Sequence, residues 1–201
     1  MRMPARTGMT LACCAALAIA ALSLVHQLTR ERLEAARQQW LVQGLAAVLP
    51  AGPYDEDPVS TRRLIVAPEL GSAQPLPLYT VYREQEPLAA VLSVVAPDGY
   101  NGDIRLLLGL RPDGRIIGAR VTEHRETPGL GDDIDSARSD WITQFSGRSL
   151  TNDADGAWAV KKRGGSFDAL TGATITPQAI VTAIHRALQW YQHHRNEVFP
   201  S

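Results

Sequence analysis

Cysteine is nearly absent from this 201-residue chain, and its two cysteines, Cys13 and Cys14, are adjacent and lie inside a long apolar run. Neighbouring cysteines pair only under strain, so no structural disulfide is expected. There is no Cys cluster to hold an iron–sulfur centre or a thiolate zinc site. His26, His124, His185, His193 and His194 show no ligand spacing with carboxylates, so no metal site is expected. His193, His194 and Arg195 instead suit the negative end of a helix dipole. An excess of one charge is also missing: 20 Lys and Arg face 21 Asp and Glu, for a net charge of −1, and nothing points to nucleic acid. No G-x-G-x-x-G unit occurs in the dinucleotide-binding context, which argues against a dehydrogenase. Internal repeats and low-complexity segments are absent too.

What is present begins with Met9 to about Leu28, a nearly unbroken apolar run rich in Ala and Leu. About 20 residues at ~1.5 Å each cross a ~30 Å hydrocarbon core. Ala16-Leu17-Ala18 resembles a signal-peptidase site, but the apolar run continues past it, which favours an uncleaved anchor. A lipoprotein signal needs its Cys after the apolar stretch, whereas Cys13 and Cys14 stand near its start. A single transmembrane helix is therefore expected. Arg2 and Arg6 precede it while Arg30, Arg32 and Arg37 follow it, so the positive-inside count sets no orientation.

The remainder reads as one α+β domain with strands first, then helix, strand and helix. The expected organisation is an N-terminal membrane anchor over 1–28, a helical stalk and linker over 29–58, and a single domain over 59–201. Leu33, Trp40, Leu41, Leu45 and Val48 are spaced for one face of a helix over Thr29 to Val48. Leu49 to Pro58, with three prolines and an acidic cluster, reads as a loop. Strands are expected at 64–66, 78–83 and 88–95, with a hairpin turn at Glu84 to Pro87 and turn residues Pro97-Asp98-Gly99 closing the last strand. Arg111-Pro112-Asp113-Gly114 joins strands 104–110 and 116–122 in an antiparallel hairpin. A helix is expected over Asp135 to Phe145, a strand over Trp158 to Lys162, and a long amphipathic helix from Pro177 to about Val198 with Ile180, Ile184, Leu188 and Tyr191 on one face.

Two stretches offer room for a ligand. Gly129 and Gly131 flank a lone leucine in Glu126-Thr127-Pro128-Gly129-Leu130-Gly131, so a flat molecule can lie against the backbone; an ordinary glycine loop has the same composition. Asp168 to Thr176 packs small and hydroxyl-bearing residues ahead of the last helix. Gly172 can take a positive φ at little cost, and Thr171, Thr174 and Thr176 offer three hydroxyls. Thr176 suits the N-cap and Pro177 the first helical position. A phosphate beside this segment would meet free amides and the positive end of a dipole. Taken alone, it is a capped helix start preceded by a small loop.

The order Asp168, two variable positions, Thr171, the small Gly172, Ala173 and Thr174 resembles the flavinylation motif of the covalent-FMN proteins. That resemblance implies a flavin transferase that recognises Asp168 and joins the FMN phosphate to Thr174 through a phosphodiester. Gly99-Tyr100-Asn101-Gly102-Asp103-Ile104, the hairpin after it, Glu126 to Gly131 and Thr171 to Thr176 follow the order of the FMN-binding domain family. Over its whole length the chain resembles the G subunits of the Rnf (or Rsx) electron-transport complexes. The C subunits of sodium-translocating NADH:quinone reductase share the anchor and motif but are longer. The resemblance implies covalent FMN on Thr174, beside Thr171, Gly172 and Ala173, with its ring near Thr127, Pro128, Gly129, Leu130 and Gly131. It implies no separate substrate, an electron-relay role between ferredoxin and NAD, and partners in the other Rnf subunits, the transferase and the lipid bilayer. It also implies the bacterial inner membrane, with the C-terminal domain periplasmic. Lys161, Lys162 and Arg163 read equally as partners of the phosphate or reduced flavin and as a solvated basic strand end. Two further readings stay open: a flavin-free, membrane-anchored structural or sensory module, and an independent flavin reductase acting on a soluble substrate.

Overall fold

The computed structural model describes residues 3–153 and 155–199, without the side chains of 3–7, 31–35, 37 and 155. Arg2, and the side chains of Arg6, Arg32, Leu33 and Arg37, lie outside the described residues. The expected anchor and stalk helices are one continuous helix, α1 (Met3–Val48). The chain divides into two compact units, Met1–Val42 and Gln43–Ser201, so the last turns of α1 belong to the second.

In the first unit, Gly8–Arg30 is 23 residues long and apolar enough to cross a membrane, and none of it is buried. At 1.5 Å per residue it spans about 35 Å, longer than a hydrocarbon core of about 30 Å. Trp40, expected on the apolar face of the stalk, is exposed.

The second unit is built on an antiparallel sheet of β1 (Arg63–Ile65), β2 (Leu76–Arg83), β3 (Glu86–Gly99), β4 (Gly102–Leu110) and β5 (Ile116–Glu123). Its spatial order β1-β2-β3-β4-β5 follows the sequence, because each connection is a short turn or loop between antiparallel neighbours. The expected hairpin over 104–110 and 116–122 is β4–β5, with Gly114 at φ +85° and its amide donating to the Arg111 carbonyl at 2.9 Å. The β2–β3 turn puts Glu84 and Gln85 at positive φ. Their amides donate to the two oxygens of Asp55, each at 2.9 Å, so a carboxylate from the preceding loop holds a backbone shape that non-glycine residues resist.

Both faces of the sheet are covered, which explains the near-continuous apolar runs of β3 and β4. One face carries Leu78, Leu92, Val94, Ile104, Leu106 and Leu108 into a core with Ile180, Ile184, Leu188 and Tyr191 of α2 (Ile175–Val198). On the other face, Gly109 meets Val48 and Leu107 reaches Gly44, at the end of α1. Leu45 and Val48 are accordingly buried.

Three expected elements differ from the structure. Pro97-Asp98-Gly99 does not end β3, which runs on to Gly99 across an irregularity in its pairing with β4. The turn is Tyr100-Asn101, between paired Gly99 and Gly102. Asp135 to Phe145 is not an α-helix; only Trp141–Phe145 is a 3₁₀ turn. The Asp135 carboxylate accepts from the Ala137 amide, the Ser139 hydroxyl donates to the Asp133 carbonyl, and the Trp141 amide donates to Ser139. Such local side-chain bonds offer the backbone an alternative to the helical ladder. Trp158 to Lys162 is not a strand: only a single parallel bridge pairs Val160 with Phe167, and Lys161–Arg163 is a 3₁₀ turn.

A Cβ at Gly109 would overlap the Val48 carbonyl oxygen, whereas one at Gly156 meets open space. Gly109→Ala should therefore destabilise the domain by about 2–3 kcal/mol and Gly156→Ala by less than about 0.5 kcal/mol, as read by denaturant unfolding. Burial pushes the Tyr191 phenol up to about 12; Arg195 opposes that shift and Asp113 adds to it. The unfolded phenol ionises near pH 10, so from about pH 10 to 12 the unfolded chain sheds a proton that the native state keeps. Stability contributed by Tyr191 is whole below that window and falls through it. Tyr191→Phe should flatten that fall in pH-dependent unfolding.

Candidate functional site

Three parts of the chain meet where β3 turns into β4. The turn contributes Tyr100 and Asn101, the loop after β5 contributes Glu126 to Gly131, and the start of α2 contributes Gly172 to Thr176. They are joined by Glu126, a carboxylate only 5% exposed. One of its oxygens accepts the Asn101 amide at 3.1 Å, and the other accepts the Thr176 hydroxyl at 2.5 Å. A buried polar group needs such partners to replace lost water. Asn101 adds a second tie, its side-chain amide donating to the Thr127 hydroxyl at 3.1 Å.

The role of Thr176 therefore differs from the expected N-cap. The helix opens earlier, at Ile175, with Thr174 in the N-cap position and no side-chain cap bond. Thr176, 1% exposed, spends its hydroxyl on Glu126. Pro177 still falls in the first turn, where an amide has no helical partner to lose.

Above this latch lies a cavity of about 410 Å³ lined by Tyr100, Glu126, Thr127, Leu130, Gly131 and Gly172 to Thr176, a volume within the roughly 300–1,000 Å³ of small-molecule sites. Of the residues expected at a site, Thr127, Leu130, Gly131, Gly172, Ala173 and Thr174 line it. Pro128, Gly129, Thr171 and Asp168 stand outside its wall. Two glycines set its shape. A Cβ at Gly131 would lie 2.6 Å from a Glu126 oxygen and 3.2 Å from the Thr176 hydroxyl. Gly172 has φ +79°, and a Cβ there would lie 2.9 Å from Leu130, so this is where the two loops close on each other. Leu130, Ile175 and Tyr100 leave apolar surface exposed at the rim.

The loop around Asp168 is held by the 3₁₀ turn below it. Trp141 donates its indole N–H to the Asp168 carbonyl at 2.7 Å, and the Asp168 amide donates to the Gln144 side chain at 2.8 Å. The Asp168 carboxylate faces solvent and pairs with Lys161 at 2.5 Å. The half-buried Thr174 hydroxyl accepts from Lys162 Nζ at 3.5 Å. Sequence reasoning passed over Glu126, Asn101 and Tyr100 as site residues and left Lys162 open between a phosphate partner and a solvated strand end. Glu126 did carry a signal, as an acidic residue beginning a loop of otherwise small and apolar groups. Among the described residues, no cluster of His, Cys, Asp or Glu could hold a metal ion.

The latch makes a coupled prediction. Glu126→Ala leaves the Thr176 hydroxyl buried without an acceptor and should cost about 1–3 kcal/mol. Adding Thr176→Val should cost less than the sum of the two single changes, since neighbours sharing a bond are not additive. A double-mutant cycle by denaturant unfolding measures the difference; strict additivity would show the bond contributes nothing.

Residues 99–189 match the family model of the FMN-binding domain. The chain is 46% identical over 189 residues to the G subunit of the ion-translocating oxidoreductase complex of Yersinia pestis, covering 93% of this chain and 90% of that one. It is 41% identical over 194 residues to the corresponding G subunit of Pseudomonas aeruginosa (strain UCBPP-PA14), covering 96% and 91%. The match to the G subunit of Vibrio cholerae (strain O395) is 38% over 193 residues, covering 96% and 92%. The chain belongs to the family of ion-translocating oxidoreductase complex G subunits.

Proposed function

We propose that this chain is the flavin-bearing electron-relay subunit of an Rnf-type ion-translocating oxidoreductase, with FMN joined through its phosphate to Thr174. The observation that carries this reading is the state of Thr174. It lines the cavity at a helix start, its hydroxyl caps nothing, and a cation lies beside that hydroxyl. A phosphate there meets the positive end of α2 as well as Lys162. The apolar rim of Leu130, Ile175 and Tyr100 suits a flat aromatic ring, and Gly131 and Gly172 add no side chain of their own to the walls. The residues present therefore fit the group.

Bound FMN supplies the redox chemistry, exchanging electrons singly or in pairs, which lets a relay link one-electron centres to two-electron donors. The protein's part is to hold it. Thr174 tethers the phosphate, so the cofactor stays in place through both redox states even where ring contacts are weak. Glu126, through Asn101 and Thr176, keeps Thr127 to Gly131 at a fixed distance from the tether. Asp168 presents its carboxylate outward, where a flavin transferase can read it. Gly8–Arg30 anchors the protein in the lipid bilayer of the inner membrane, with the C-terminal domain in the periplasm beside the other subunits of a complex that couples ferredoxin and NAD redox chemistry to ion translocation.

The test is flavin fluorescence in a denaturing gel, for the full chain and Thr174→Ala, each co-expressed with a flavin transferase. Only a covalent bond survives denaturation, so fluorescence in the wild type alone is the expected result. A dark wild-type band beside an active control overturns the covalent reading and favours a flavin-free module. Fluorescence in both moves the tether to another residue, with Thr171 and Thr176 the next candidates. Turnover of NADH by the isolated protein would favour an independent reductase instead.

A further inference from the structure

We infer that Lys162 is a positioning residue for the acceptor hydroxyl of Thr174, and the counter-ion of the phosphodiester formed there; this rests on the covalent reading above. The side chains of the turn Lys161–Arg163 are exposed, but the backbone beneath them is fixed. Val160 and Phe167 are fully buried and form a parallel bridge. The Lys161 amide donates to the Phe167 carbonyl at 2.7 Å. The Val160 amide donates to the side chain of Gln178, in α2, at 3.1 Å. Gly165 leaves no room for a Cβ against the Ala159 carbonyl, and Gly164 closes the turn at φ +85°.

Two neighbouring lysines thus rise from a rigid turn and reach the two ends of the acceptor segment. Lys161 pairs with Asp168 at 2.5 Å, and Lys162 donates to Thr174 Oγ1 at 3.5 Å. An ammonium group has donors only, so its bond takes a lone pair of the Thr174 oxygen and leaves the hydroxyl proton to point elsewhere. That arrangement suits the transfer step. Thr174 Oγ1 forms a bond to the flavin-side phosphorus of a flavin adenine dinucleotide donor. The pyrophosphate P–O bond breaks, AMP leaves with that electron pair, and the hydroxyl proton passes to a base of the transferase. The new phosphodiester carries one negative charge at the position Lys162 already faces. Uncompensated, that charge would stand beside the half-buried helix start; with Lys162 it is paired.

The test uses the full chain, purified in detergent without flavin, mixed with a flavin transferase and flavin adenine dinucleotide. The rate of covalent fluorescence is followed in denaturing gels for wild type, Lys162→Gln, Lys162→Arg and Lys161→Gln. Lys162→Gln should load about five-fold more slowly, in the range of a single exposed charged contact, at unchanged thermal stability. Lys162→Arg should restore most of the rate, because it keeps the charge and donor. Loading of Lys162→Gln at the wild-type rate overturns the inference and leaves the covalent site standing. So does slow loading of Lys162→Arg, since it would mean that shape rather than charge is needed. An unlabelled wild type overturns the covalent reading, and the inference falls with it.

Discussion

The carboxylate of Glu126 is the point on which the site's geometry depends. It is buried, and a polar group in such a place is tolerated only when hydrogen-bond partners take over from water. Those donors come from distant parts of the chain: Asn101 lies 25 residues away and Thr176 lies 50. Satisfying one side chain therefore fixes a strand turn, a loop and a helix start against each other. Gly131 follows from the same demand, since any larger residue would press on the carboxylate and the Thr176 hydroxyl together. An unmade bond here costs more than a made one gains, so the arrangement has little freedom to drift.

The sheet delivers the turn to that meeting point. β3 is 14 residues long, and at about 3.3 Å per residue it runs well beyond the short β1. Its irregularity near Pro97, which has no amide to offer the ladder, lets the strand continue instead of ending there. Tyr100 and Asn101 consequently stand at the far tip of the β3–β4 hairpin.

Local chemistry was legible in the sequence wherever it decided the structure. The β4–β5 hairpin follows from Arg111-Pro112-Asp113-Gly114, and α2 from its apolar spacing, because in both the determining residues are near neighbours. The long apolar helix over Gly8–Arg30 was legible from length and composition. Asp135 to Phe145 was not, because helix-like spacing of Trp141, Ile142 and Phe145 competes there with Asp and Ser side chains that bond their own backbone. Thr176 was misjudged for a related reason. A buried acceptor 50 residues upstream outweighs a cap bond worth about 1 kcal/mol, and no local pattern announces it. The same holds for Asn101, whose partners are set by the fold.

That displacement of the cap has a consequence for the chemistry. Had Thr176 been the N-cap, α2 would begin later, and Thr174 would lie in the loop with its hydroxyl subject to the loop's own bonding. Because Glu126 claims Thr176, the helix starts at Ile175 and Thr174 becomes its first boundary residue, at φ −101° and ψ −28°. Those angles are nearly helical, unlike the extended backbone from which a threonine normally reaches forward to cap. The hydroxyl is left to meet Lys162 at 3.5 Å. The buried carboxylate thus acts twice: it joins the loops of the site, and by occupying one threonine it leaves the other available.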